Sequence, residues 1–130
     1  MKKVINTDFA PAAIGPYSQA IRMGEFLFCS GQIPIDPKTQ LIFTGDIKKQ
    51  TEMVLNNIEA ILEANDMSFG HIVKTTIFLT SMADFSAVNE VYAERFTVEP
   101  PARSTVAVAG LPKGVNVEIE VLAHFDAIEK

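Results

Sequence analysis

The chain has 130 residues, with 11 Lys and Arg against 16 Asp and Glu and a formal net charge of −5. That length predicts one domain with a real core, and that sign excludes the long-range pull on nucleic acid or an anionic bilayer that a basic chain exerts. About half the residues are hydrophobic, as in ordinary globular proteins, and the single cysteine, Cys29, excludes an internal disulfide and fits a reducing compartment.

Met1–Ile5 reads as a short edge strand. Thr7–Pro16, with Pro11, Gly15 and Pro16, reads as an ordered loop. Two strands follow, Tyr17–Met23 and Phe26–Ser30. Gly24-Glu25 suits a two-residue hairpin between them, with Ala20 opposite Cys29 and Gln19 opposite Ser30. Gly31-Gln32-Ile33-Pro34 leaves the strand, and Asp36-Pro37-Lys38-Thr39 makes a turn.

Asp46 is placed to cap a helix over Ile47–Ala64. Its apolar positions Ile47, Val54, Leu55, Ile58, Ile61 and Leu62 form one stripe, so this helix packs on something apolar. Asn65-Asp66 and Gly70 end it. Ile72–Thr80, rich in β-branched residues, is the next strand. Ser81-Met82-Ala83-Asp84 resembles a capping box, opening a helix over Met82–Phe96 with Phe85, Val88, Tyr92 and Phe96 on one stripe.

Pro100-Pro101 re-aims the chain. Arg103–Val108 and Val115–Leu122 then alternate as strands. A hairpin between them, with Val108 opposite Val115, puts Thr105 across from Glu118 and Arg103 across from Glu120. The order predicts an α+β fold, a sheet with two helices on one face. The other face then stays open and invites self-association. No stretch approaches the ~18 apolar residues of a membrane span, and Lys2-Lys3 precedes no apolar leader run. A soluble cytoplasmic protein is expected.

Few residues advertise chemistry. Cys29 as a nucleophile needs a base that the sequence does not name, and a buried small hydrophobe is the commoner role. His71 and His124 stand alone, without the ligand spacing of a zinc site. The common nucleotide fingerprints and the G-x-S-x-G elbow are absent. Ser30-Gly31, at a strand exit, can offer a hydroxyl and a backbone N–H. Tyr17 can cap a pocket, and Asn89 flanks the stripe of the second helix. Arg103 with Glu118 and Glu120 has two readings. One is a solvated cross-strand pair worth roughly 0.2–1 kcal/mol. The other is a pocket in which an Arg fork holds a small carboxylate and a Glu handles water.

Four stretches decide between them: APAAIGPYSQAI (Ala10–Ile21), FCSGQIPIDPKT (Phe28–Thr39), VKTTIFLTSMADFSAVNEVYAERF (Val73–Phe96) and PPARSTVAVAGLPKGVNVEIEVLA (Pro100–Ala123). Together they resemble the Rid (YjgF-type) family, and most of all its RidA-like branch of 2-iminobutanoate/2-iminopropanoate deaminases. The resemblance implies a chorismate-mutase-like fold with a mixed sheet. It implies a homotrimer with sites between subunits, the apolar sheet faces turned inward. It also implies hydrolysis, without cofactor or metal, of 2-aminoacrylate and 2-iminobutyrate type intermediates to 2-oxo acids and ammonia. Pyridoxal-phosphate dehydratases release these intermediates, so a functional link to such enzymes is implied too.

Carried over, Arg103 is the carboxylate clamp and Glu118 the residue that orients water. Ser30 and Gly31 are polar contacts, Tyr17 is the pocket wall, and Asn89 is a support. Thr105 stands where the archetypal members often have Cys. Glu120 becomes the lesser carboxylate. Two other readings accompany this one: a regulator that binds small carboxylates without turnover, and a ribonuclease, a label sometimes attached to the family.

Overall fold

The structure is a computed structural model that describes residues 1–128. The elements, in chain order, are β1 (Lys3–Ile5), β2 (Ala20–Met23), β3 (Phe26–Gln32), α1 (Ile47–Ala64), β4 (Ile72–Leu79), α2 (Phe85–Arg95), β5 (Ala102–Ala107) and β6 (Val117–His124). The strands form one mixed sheet in the order β1-β2-β3-β6-β4-β5. Only the β4–β5 pair is parallel.

Alternation decides which side faces the core. Val117, Ile119 and Val121 of β6 are buried, as are Leu27 and Cys29 of β3 and Thr75, Ile77 and Leu79 of β4. Both helices cover this side. α1 spans the predicted Ile47–Ala64, and the Asp46 carboxylate accepts from the Lys49 N–H at its start. Its stripe of Val54, Leu55, Ile58, Ile61 and Leu62 is fully buried. Three buried polar residues share that face. Gln50 bonds Gly45 and Asn116, and Asn57 donates to the carbonyls of Ile33 and Ile35. Thr51 donates to the Ile47 carbonyl. Thus α1 fastens both the exit of β3 and the entry of β6, the two segments beside the candidate site.

The β2–β3 hairpin has the predicted register, with Ala20 opposite Cys29 and Met23 opposite Phe26. The strand predicted over Tyr17–Met23 is shorter, starting at Ala20. The second helix is also shorter than predicted. Met82–Asp84 is a 3-10 turn, and α2 runs over Phe85–Arg95. Ser81 Oγ accepts from the Ala83 N–H, and Asp84 makes no side-chain cap, so the capping box is half formed.

The predicted hairpin between the last two strands does not exist. β4 lies between them: β5 pairs with β4 in parallel, and β6 pairs with the other edge of β4. The link over residues 108–116 is long enough to pass the end of β4. Its two ends are fastened there, Val108 N–H to the Leu79 carbonyl and Thr80 N–H to the Asn116 carbonyl. The β4–α2–β5 crossover lays α2 on the core face and brings β5 alongside β4. Both edges of β4 are therefore satisfied, which a simple β5–β6 hairpin would leave open.

The side away from the helices carries Phe28 and Val106, each nearly half exposed. Glu118, Glu120 and Thr76 lie on that side as well. It is an uncovered, partly apolar sheet face.

Candidate functional site

Glu118 is positioned by a bulge in β3. Cys29 pairs with Val121 and Gln32 with Ile119, so β3 has one residue too many between them. The bulge falls at Ser30-Gly31. Gly31 is the residue on which the Glu118 carboxyl rests: a Cβ there would stand 2.5 Å from Glu118 Oε2. Ser30 is held by its N–H to the Gln19 carbonyl and by its hydroxyl donating to the Ser18 carbonyl at 2.6 Å. Its proton is committed, so toward a ligand Ser30 Oγ is an acceptor.

These residues line a cavity of about 640 Å³, together with Tyr17 and Ile14. Its far wall is the Thr7–Pro16 loop, and one buried side chain organises that loop. Gln19 Oε1 accepts from the Thr7 N–H, and its Nε2 donates to the carbonyls of Thr7 and Pro11. Gly15, at φ +121, adopts a conformation that only glycine takes readily and turns the chain into Tyr17. Partial burial and the neighbouring Glu120 push the Glu118 carboxyl above its ordinary value. A carboxyl with that shift, in a cleft and on a glycine shelf, is a candidate for proton or water handling.

Arg103 is built into a different place. It pairs with Thr75 on β4 and therefore lies on the helix side of the sheet. Its Nη1 donates to Asn89 Oδ1 at 2.7 Å. The guanidinium sits 5.0 Å from the ring centre of Tyr92 and 5.6 Å from that of Phe85. These contacts fix the fork while leaving its other donors unused. Tyr92 is itself anchored by a 2.8 Å hydroxyl contact with buried Thr75. Thr105, two residues along β5, shares this face. Its buried Oγ1 has no hydrogen-bond partner among the described residues, a costly state for a hydroxyl unless something else supplies one.

Phe78 sets the geometry between the two groups. It pairs with Val106 on one side and with Glu118 on the other. Glu118 therefore shares its face with Val106, and Arg103 and Thr105 take the opposite one. The predicted pairing of Arg103 with Glu120, and of Thr105 with Glu118, is thereby corrected. Within one chain the sheet separates Arg103 from Glu118, with β4 between their strands.

The remaining candidates have local roles. Cys29 is buried, and that burial pushes its thiol up to about 12, so it is no thiolate at neutral pH. His71 Nδ1 accepts from the Ser68 N–H, and His124 Nδ1 from the Asp126 N–H. Both histidines finish turns. Gln19 and the Tyr92–Phe85 platform were not legible as site elements. A Gln at a strand entry looks like any polar residue, and the aromatic stripe of α2 looks like core. Among the described residues, no helix is long and apolar enough to cross a membrane.

A mixed α+β sheet with a guanidinium fork on one side and a cavity lined by two carboxyl groups on the other is suited to a small polar molecule. The family model described as Endoribonuclease L-PSP matches residues 7–125. A RutC family protein of Pyrococcus horikoshii is 57% identical over 95% of this chain and 98% of its own. A 2-iminobutanoate/2-iminopropanoate deaminase of Salmonella typhimurium is 48% identical over 95% and 98%. The solved structure of Escherichia coli TdcF with bound serine is 44% identical, with a TM-score of 0.89 over 94% of this chain and 98% of that one. The chain belongs to the Rid (YjgF-type) family, the one that model describes, and has its fold.

Proposed function

We propose that this chain is a cofactor-independent 2-imino acid deaminase, acting in the cytoplasm as a homotrimer whose sites lie between copies. The observation that carries the reading is the separation of Arg103 from Glu118. Each is built as half of a site, and a second copy that turns its Arg103 side toward the Glu118 cavity makes a whole one. The open sheet face gives such an assembly apolar area to bury, and the unpaired Thr105 hydroxyl gives it a polar contact to make. A relative named as a deaminase and another solved with bound serine, an amino acid with a carboxylate like the substrate's, support the same chemistry.

The reaction needs little from the protein. A 2-imino acid is already electrophilic at C2. Water adds there, the C=N electrons move to nitrogen, and the tetrahedral adduct expels ammonia to leave a 2-oxo acid. Arg103 clamps the carboxylate bidentately. Glu118 orients the water on the C2 side, and Tyr17 closes the wall. Placement of this kind, rather than a strong nucleophile, accounts for catalysis by proximity. Removal of 2-aminoacrylate and 2-iminobutyrate released by pyridoxal-phosphate dehydratases, and so protection of such enzymes, is the physiological role that follows.

The test is to couple the protein to a serine or threonine dehydratase and follow 2-oxo acid release. Acceleration over spontaneous hydrolysis is expected; none would refute the reading. Binding of the 2-oxo acid without acceleration would instead favour a carboxylate-binding regulator. A ribonuclease is opposed by the net charge of −5 and by two carboxylates lining the cavity, which repel a polyanion.

Gly31→Ala gives a sharper check. The added methyl meets the Glu118 side chain from Oε2 back to Cγ and no backbone, so the variant folds once that side chain turns away, with a melting temperature near wild type. Its kcat falls by about 10-fold or more, because the carboxyl is displaced from the position where it orients water.

A further inference from the structure

Lys113 lies in the turn Pro112–Gly114, between the two last strands. Its backbone is left-handed, at φ 58 and ψ 23, a conformation that glycine or asparagine takes more readily than lysine. The turn sets this exposed residue at the rim of the cavity that holds Glu118 and Glu120. It is the one cationic residue among the described residues that line it. No carboxylate holds its ammonium either: Lys48–Glu90 is the ion pair formed among the described residues.

The charge at this mouth poses a problem for the proposed substrate. A 2-imino acid carries a carboxylate, and the side of the cavity contributed by this chain presents two carboxyl groups. Arg103 is on the other face of the sheet and reaches this cavity only from another copy. Without a local cation an incoming anion meets like charge first. We propose that Lys113 is the steering cation of the site, drawing the carboxylate of the ligand past Glu118 and Glu120 to the Arg103 fork. A hydrated point charge on a flexible stem suits transient capture, whereas a planar, fixed fork suits the final clamp. This assignment rests on the deaminase reading for its substrate, and on the cavity alone for its charge logic.

The test is the affinity for 2-oxobutanoate, measured by calorimetry on wild type, Lys113→Gln and Lys113→Arg, at ~20 mM and ~500 mM sodium chloride. Both replacements face the same backbone cost at φ 58, so the turn is retained, and thermal melts verify it. Lys113→Gln is expected to bind about 3- to 10-fold more weakly at low salt and to match wild type at high salt. Lys113→Arg is expected to stay near wild type at both. Equal affinity of wild type and Lys113→Gln at low salt overturns the assignment. So does a loss that persists at high salt and is not recovered by arginine, because that marks a structural role. Failure of wild type to bind 2-oxobutanoate at either salt overturns it as well. Turnover in the dehydratase-coupled assay separates the two readings. Lys113-dependent binding without turnover contradicts the deaminase and leaves the steering role intact. Turnover with unchanged Lys113→Gln affinity contradicts the steering role alone.

Discussion

Arg103→Ala lowers kcat/KM for 2-imino acids by about 100-fold or more. Hydrogen bonds to a charged group contribute about 1.5–3 kcal/mol each, and a bidentate clamp loses two of them, each 1.4 kcal/mol being about tenfold in rate. Fold stability changes little by comparison, since Arg103 is exposed on an edge strand. Arg103→Lys recovers only a small part, because a point charge cannot reproduce the fork. Asn89→Ala acts on the same group at one remove. Asn89 Oδ1 holds one guanidinium nitrogen at 2.7 Å, so its loss raises KM more than it lowers kcat. Steady-state kinetics on the three variants, with melting curves, checks this ordering. Equal kcat/KM for wild type and Arg103→Ala would remove the clamp from the mechanism.

Glu118→Gln has the second large effect, and it runs in opposite directions for activity and stability. Activity falls by about 10²- to 10⁴-fold, the range for losing a positioned acid–base group. Stability at neutral pH stays level or rises. Partial burial, with Glu120 alongside, raises the Glu118 carboxyl above the ordinary 4.5 of a glutamate. The folded chain thus holds that proton more tightly than the unfolded one. The resulting stabilisation is fully present below about 4.5 and is lost as pH rises through the raised value. Glutamine has no such dependence. The melting temperature of Glu118→Gln relative to wild type therefore increases as pH rises through that window, is constant above it, and the difference shrinks toward acid. The acid limb of wild-type turnover lies above that of an ordinary glutamate, and Glu120→Gln moves it to lower pH. A Glu118→Gln protein that melts lower than wild type at pH 7 would contradict the cost assigned to this carboxyl.

Local pattern carried much of the fold. Asp46, the apolar stripe and the absence of breakers defined α1 over Ile47–Ala64. Gly24-Glu25 defined the hairpin register, and the alternation of Val115–Leu122 named the residues of β6 that share a face. What the pattern could not hold was which strand lies next to which. Proximity in sequence favoured a β5–β6 hairpin, whereas β4 takes the central place between them. That exchange alters the parity between strands, and because the side-chain period is two, a change of parity moves Arg103 to the other face. The family resemblance, not the local pattern, singles out Glu118 over Glu120. The glycine shelf under Glu118, the bulge that makes it, and the Gln19 clasp on the Thr7–Pro16 loop are long-range contacts with no local signature.

The same parity makes the shared site directly testable. Arg103→Ala and Glu118→Gln are each expected to be inactive alone, having lost complementary halves. The two proteins are unfolded together, refolded as a mixture and assayed for 2-oxo acid release. If neighbouring copies complete each site, random assembly in a closed ring leaves about a quarter of the sites with both an intact Arg103 and an intact Glu118. Activity then returns toward about a quarter of a wild-type sample taken through the same refolding. A mixture no more active than its two parents, while refolded wild type recovers fully, would contradict a site shared between copies.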